Sequence, residues 1–250
     1  ETLHSECPPG PPLSEDAPSA APSLSAPSLS SAAPSSLPDA LRPIIHEHPV
    51  DIGANRYNLL YVNNIDALLD TLAGDAEVPY WAVLWESSIA LSGWLVEHPD
   101  IVAGKDVLEL GAGLGLCGMV ARQLGGRVVQ TDNHQPALDV SAENARRNGI
   151  DVPEQFLGDW RDWTHDRLYD VIIGSDIVYE RPVHEVLLPL FRRNLKPGGL
   201  LLLADPFRET GWEMAQKLEK AGWTVDLQSR CVPWEKKTTE ILMLHARRAV

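Results

Sequence analysis

Two rhythms of apolar residues alternate along this chain from about Leu41 onward. One is the short unbroken run, as in DVLEL, RVVQT, VIIGS and LLLLA. The other is the i, i+3, i+4 spacing that lays apolar side chains along one helix face, as in LCGMVARQL, PALDVSAENARRN, PVHEVLLPLFRRN and GWEMAQKLEKA. Unbroken runs mean strands buried on both sides, and strand-helix repetition with such strands predicts a parallel sheet covered on both faces. The last two strands, TVDLQSR and TEILMLHA, have no helix between them. The loop around Pro233 therefore predicts a hairpin and one antiparallel strand. Ahead of the repetition, RYNLLYV reads as a strand and NIDALLDTLA as a short helix with Asn64 or Asp66 near its start. SSIALSGWLVEH reads as a second helix, for which Ser87 or Ser88 is the expected cap. The expected fold class is α/β, a doubly wound seven-strand sheet, mostly parallel, with an antiparallel C-terminal strand.

Before this pattern begins, the chain is a different material. APSAAPSLSAPSLSSAAPSSLP is Ala/Pro/Ser low complexity, and half of the 20 prolines occur by Pro43. Few large apolar groups stand there to offset ordering entropy, which predicts a disordered tail over 1–40 and a domain over 41–250. Within that domain, 41–100 is an N-terminal extension and 101–250 the α/β core. No apolar run approaches the roughly 20 residues of a membrane helix, and no basic-plus-apolar leader is present. Neither a membrane nor secretion is expected, and a monomer is the default. The net charge of −14 argues against a nucleic-acid partner gripped through its phosphates. Cys7, Cys117 and Cys231 are odd in number and far apart, with no CxxC spacing. They predict a cytoplasmic chain without disulfides or structural zinc. His46 and His48 share a face only if extended, and with no further ligand nearby no metal is expected.

The chemistry concentrates at strand ends. In LELGAGLGLCG, glycines where a strand turns into a helix let a ligand approach the backbone and the helix N-terminus. Gly111, Gly113 and Gly115 are spaced G-x-G-x-G, and Leu116 stands where a dinucleotide fingerprint has its third glycine. Pyrophosphate is less well served than a sulfonium nucleoside with an amino-acid tail, whose ammonium Glu109 would receive. Asp132, with Asn133 beside it, ends the second strand, where a carboxylate accepts both ribose hydroxyls. The alternative for Asp132 is a helix cap ahead of Pro136. Asp159 in FLGDWRDW is the candidate partner of an adenine amino group and Trp160 a face for the ring, core packing being the alternative for Trp160. Finally, DVIIGSDIVYE is a buried strand that runs abruptly into Ser175, Asp176, Tyr179 and Glu180.

Taken in order, VLELGAGLGL, QTDNHQPAL, GDW, SDIVYE and LKPGGLLLL resemble a seven-strand (class I) S-adenosylmethionine-dependent methyltransferase. More narrowly, VPYWAVLWESSIALSGWL with SDIVY resembles the non-histone protein-lysine methyltransferases, which modify chaperones, elongation factors and related proteins. That family's Trp-Asp/Glu/Pro segment matches Trp85 and Glu86, and its Asp/Glu-x-x-Tyr/Phe motif matches Asp176 and Tyr179. The likeness runs from Val78 to His245. It implies a Rossmann-like core, S-adenosylmethionine as cofactor held by Trp85, Ser175 and the strand-end residues above, and a protein lysine as acceptor. A bacterial branch labelled nicotinamide N-methylase has similar PYWA and HPD surroundings and keeps a small amine open as acceptor. A branch acting on the β subunit of the electron-transfer flavoprotein usually lacks DIVY, which favours the chaperone-type group. An idle binding module is disfavoured by the intact Glu109, Gly111, Asp132 and Asp176, and an NAD-linked oxidoreductase by the missing third glycine. On this resemblance Asp176 would dock and orient the amine, Tyr179 would wall its channel, and Trp81 and Trp85 would form the facing wall. A helix beginning near Pro182 is too far on for Asp176 to cap.

Overall fold

The computed structural model describes residues 34–71, 78–235 and 237–248. It opens with a hairpin of β1 (Ile45–Ile52) and β2 (Asn55–Val62), paired from Ile45–Val62 to Ile52–Asn55. The two-residue turn between them has Gly53 at φ 59°, as tight hairpins require. β1 was not expected as a strand, because IHEHPVDI carries its buried positions irregularly and places polar groups and a proline between them. Helix α1 (Ile65–Thr71) is capped by Asn64, whose Oδ1 accepts from Asp66 N at 2.9 Å. In α2 (Glu86–Glu97) neither expected serine is the cap. Trp85 holds that position, Ser88 Oγ donates to Trp85 O at 2.7 Å, and Ser87 points inward.

Seven strands then build one sheet. They are β3 (Asp106–Leu110), β4 (Arg127–Asp132), β5 (Glu154–Leu157), β6 (Tyr169–Ser175), β7 (Leu195–Asp205), β8 (Trp223–Trp234) and β9 (Lys237–Arg248), in the order β5-β4-β3-β6-β7-β9-β8. β9 runs antiparallel to both neighbours, and the remaining adjacent strands pair in parallel. Helices α3 (Leu116–Gln123), α4 (Gln135–Arg147), α5 (Arg181–Asn194) and α6 (Glu209–Lys220) fill the connections. Strand residues alternate between two cores. Val107, Val171, Ile173 and Leu202 pack with α2, α3 and α4, while Leu108, Ile172, Leu201 and Leu203 pack with α5 and α6.

Three expectations need correction. The tail boundary at residue 40 falls inside packed chain: Leu37 and Leu41, one helical turn apart, are buried in the first core against the hairpin. The rest of the expected tail, 1–33, lies outside the described residues. β8 and β9 are longer than expected and carry Pro233 within the ladder opposite Thr238, which an edge strand tolerates. Their outer ends reach α2 through Arg230–Glu97 and Lys237–Glu86 ion pairs. Cys231 is disulfide-bonded, overturning the expectation of a chain without disulfides, whereas Cys117 is a free buried thiol. His46 and His48 do share one face of β1. Among the described residues, no group of three or more metal-ligating side chains forms, and no helix is long and apolar enough to cross a membrane.

Candidate active site

The strand order reverses between β4 and β6 around β3, and open α/β sheets bind ligands at the carboxyl edge of such a point. Here β3 delivers the turn Gly111–Gly115 into α3. A Cβ on Gly115, at φ 80°, would lie 2.0 Å from Ser141 Oγ, and one on Gly111 would lie 2.8 Å from Ile177 Cγ2. Only glycine fits either place. Beneath the turn Glu109 is buried. Its Oε1 accepts from Gly118 N at 2.9 Å and its Oε2 from Gln130 Nε2 at 2.6 Å. Gln130 Nε2 also donates to Gly115 O at 3.1 Å, and Ser141 Oγ donates to Gln130 Oε1 at 2.8 Å. Burial pushes the Glu109 carboxyl up to about 7, against these hydrogen bonds. Both of its oxygens are thus engaged in bracing the turn, although the side chain still lines the cavity.

At the end of β4 Asp132 is not the cap of α4, a position that His134 holds without a side-chain cap bond. The Asp132 Oδ1 accepts from His134 N at 3.0 Å at the start of α4, and its Oδ2 accepts from Gly113 N at 3.0 Å. The carboxyl group still faces the cavity, as do Asn133 and Trp160. Asp159 departs from expectation. It caps the short turn Trp160–Asp162 by accepting from Arg161 N at 2.8 Å, and it is not among the cavity-lining residues.

Across from the glycine turn, β6 ends at Ser175 and the backbone swings through Asp176 at φ 58°, a left-handed conformation rare outside glycine. Asp176 N donates to Ala204 O at 2.9 Å, fixing the bend to β7. The carboxyl is largely buried, with Oδ2 accepting from Ser87 Oγ at 3.4 Å and Oδ1 from Arg208 Nη1 at 2.5 Å. Burial pushes it above the ordinary carboxylate range, outweighing the pull of Arg208. Tyr179 stands half exposed at the rim. The third wall is the turn Tyr80–Ala82, where Trp81 and Trp85 face in and Trp85 Nε1 donates to Tyr80 O at 3.0 Å. The whole encloses a cavity of about 580 Å³, a volume typical of small-molecule sites.

Of the expected site residues, all but Gly115 and Asp159 line this cavity. Arg208 was missed, and so was Cys117, which also lines it and whose thiol burial pushes up to about 12. For Arg208 a signal existed: ADPFRE is another buried strand running into polar residues, as SDIVYE is. The donor set fits a nucleoside with an amino-acid tail. It offers a glycine turn without room for side chains, a carboxylate at the end of β4, and an aromatic face at Trp160.

Two solved methyltransferases share this architecture. A Thermus thermophilus 16S rRNA N2 G1207 methyltransferase in complex with S-adenosylmethionine and guanosine aligns with TM-score 0.55 at 17% identity, covering 82% of this chain and 51% of that one. The magnesium protoporphyrin IX methyltransferase of Synechocystis PCC 6803, with bound S-adenosylmethionine, aligns with TM-score 0.52 at 16% identity, covering 70% and 86%. At these identities the likeness defines the fold, that of the class I methyltransferases. Residues 74–211 match the family model described as lysine methyltransferase, and the chain belongs to that family. It is similar to the protein N-lysine methyltransferase METTL21A of Danio rerio, 37% identical over 49% of this chain and 58% of that protein. It is also similar to the electron transfer flavoprotein beta subunit lysine methyltransferase of Rattus norvegicus, 31% identical over 52% and 51%. The protein-lysine N-methyltransferase rrg1 of Schizosaccharomyces pombe is 34% identical over 54% and 50%. The chain thus spans about half the length of these curated relatives.

Proposed function

We propose that this chain is an S-adenosylmethionine-dependent N-methyltransferase acting on lysine side chains of a protein. The observation that carries the reading is one cavity in which the glycine turn faces the Asp176–Tyr179 segment, with Trp81 and Trp85 closing the side. Family membership and the curated relatives support a protein lysine as acceptor.

Bound S-adenosylmethionine would supply a methyl group on a sulfonium sulfur, to be taken by the amine lone pair, with the S–C bonding pair left on sulfur and a proton then lost from the methylated nitrogen. The protein's contribution is positioning and desolvation. The turn Gly111–Gly115 would pass under the cofactor tail, Glu109 would hold that turn and Asn133 and Ser175 would flank the cavity. Asp132 would take the ribose hydroxyls and Trp160 the base, with Asp159 left to shape the turn before it. On the other side the amine must arrive neutral. A free lysine has a pKa of about 10.4, so deprotonation at pH 7 costs roughly 4–5 kcal/mol. Aromatic walls at Tyr179, Trp81 and Trp85 exclude water and disfavour the cation. Asp176 would dock and orient the nitrogen.

The net charge of −14 suits a basic protein segment better than a nucleic acid, and the chain is read as a monomer. The disulfide at Cys231 removes the ground on which a cytoplasmic chain was expected. Incubating the protein with labelled S-adenosylmethionine and cell lysate tests the reading. A discrete labelled protein band is expected. Label confined to the small-molecule fraction would move the acceptor to a small amine, and no transfer at all would overturn the proposal.

A further inference from the structure

We infer that Arg208 is a positioning and specificity-determining residue, which holds Asp176 in place and offsets its charge so that the acceptor end of the cavity takes an amine in its neutral form. This rests on the methyltransferase reading above. The geometry is a shared cation. Arg208 Nη1 lies 2.5 Å from Asp176 Oδ1 and 2.9 Å from Asp205 Oδ2, while Asp205 Oδ1 accepts from Arg208 N at 3.0 Å. Asp205 therefore grips both the backbone and the head of the arginine, and the guanidinium is fixed against Asp176. Among the described residues that line the cavity, Arg208 is the only lysine or arginine, against the carboxyl groups of Glu109, Asp132, Asp176 and Glu180.

The other charged and titratable groups around Asp176 do not take over this task. Glu86, at the start of α2, is itself bound by Lys237 of β9 at 2.6 Å and by Thr239 at 3.2 Å. Glu180 and Tyr179 lie at the exposed rim ahead of α5, and Glu109 and Asp132 belong to the opposite wall. Without Arg208, Asp176 and Asp205 would stand uncompensated at the place where the amine must lose its proton. Nearby carboxylates stabilise an ammonium, which has no lone pair to transfer. With it, the pair of carboxylates carries about one net negative charge. That is enough to attract a lysine, and it weakens the hold on its proton.

The test is a pH profile of kcat/KM for the full chain with labelled S-adenosylmethionine and lysate protein as acceptor. Arg208→Gln is expected to move the acid limb up by about one pH unit or more, so that transfer fails near neutrality and recovers in alkali. Arg208→Lys keeps the charge and is expected to keep the wild-type limb at a lower rate. Asp205→Asn removes a carboxylate and is expected to move the limb the other way, which supplies a second reading if Arg208→Gln does not fold. Calorimetric affinity for S-adenosylmethionine should stay within about threefold in all three. A uniform loss at every pH, or Arg208→Lys behaving like Arg208→Gln, would refute the inference. Wild-type protein that transfers no methyl group would instead overturn the reading beneath it.

Discussion

His184 Nε2 donates a hydrogen bond to Val178 O at 3.0 Å, from a side chain with no exposed surface. The donor sits in α5 and the acceptor within the Asp176–Tyr179 bend, so one buried contact ties the bend to the helix that follows it. Val178 O can only accept, which places the proton of this bond on Nε2. His184→Leu keeps much of the volume and removes the donor, leaving a buried carbonyl unpaired at a cost of about 1–3 kcal/mol. Urea unfolding should show that loss. Methyl transfer should fall more than cofactor affinity does, and equal falls in both would detach His184 from the acceptor segment.

The two halves of the cavity should separate by mutation. Asp176→Ala is expected to keep S-adenosylmethionine binding by calorimetry and to lose methyl transfer. Full activity would remove Asp176 from the acceptor site. Gly113→Arg, whose Cβ would meet Trp81 O at 3.4 Å with φ at 51°, should abolish cofactor binding while circular dichroism still reports a folded chain.

Glu109 makes stability depend on pH in a definite direction. Its folded carboxyl holds a proton up to about 7, whereas the unfolded one releases it near the ordinary value. Between these limits the native state binds more protons, so this group's contribution is most favourable at low pH and declines as pH rises through about 7. The full decline is on the order of 3 kcal/mol. Glu109→Gln does not titrate, so relative to wild type its unfolding free energy should rise between about pH 5 and pH 8. A difference independent of pH would contradict the buried, raised carboxyl.

The N-terminal boundary can be measured as packing. Leu37 and Leu41 are each no more than 2% exposed. Leu41→Ala should cost about 2–5 kcal/mol in urea unfolding, as for other core leucines. A loss below about 0.5 kcal/mol, the range of ordinary surface substitutions, would return this stretch to the tail.

What was legible in the sequence follows from burial. DVLEL, RVVQT, VIIGS and LLLLA could be read because strands covered on both faces tolerate little but apolar residues, and the glycine turn because no side chain fits at Gly115. Asp176 was legible because a polar group ends an apolar run. β1 was not, since its inward residues are separated by His46, Glu47, His48 and Pro49 in no regular alternation. Asp159 caps a short turn, and a short aspartate in that place serves the backbone as readily as a ligand. Arg208 was only half legible: ADPFRE ends a buried strand in polar residues, but the arginine's role depends on Asp176 and Asp205 being brought together from adjacent strands, an adjacency that chain order does not display.

The wall that carries Trp81 is joined to the rest of the fold mainly by packing, with Ala82 and Leu84 buried in the first core. Val83 forms a single parallel bridge to Val62, and Trp85 leads into α2. Donor-side residues sit at the ends of strands locked between two cores. The Tyr80–Trp85 span lies ahead of the sheet and is seated in the first core through Ala82 and Leu84. On the proposed reading the two substrates are held by different parts of the fold, the methyl donor by strand ends and the acceptor wall by a segment that precedes the sheet.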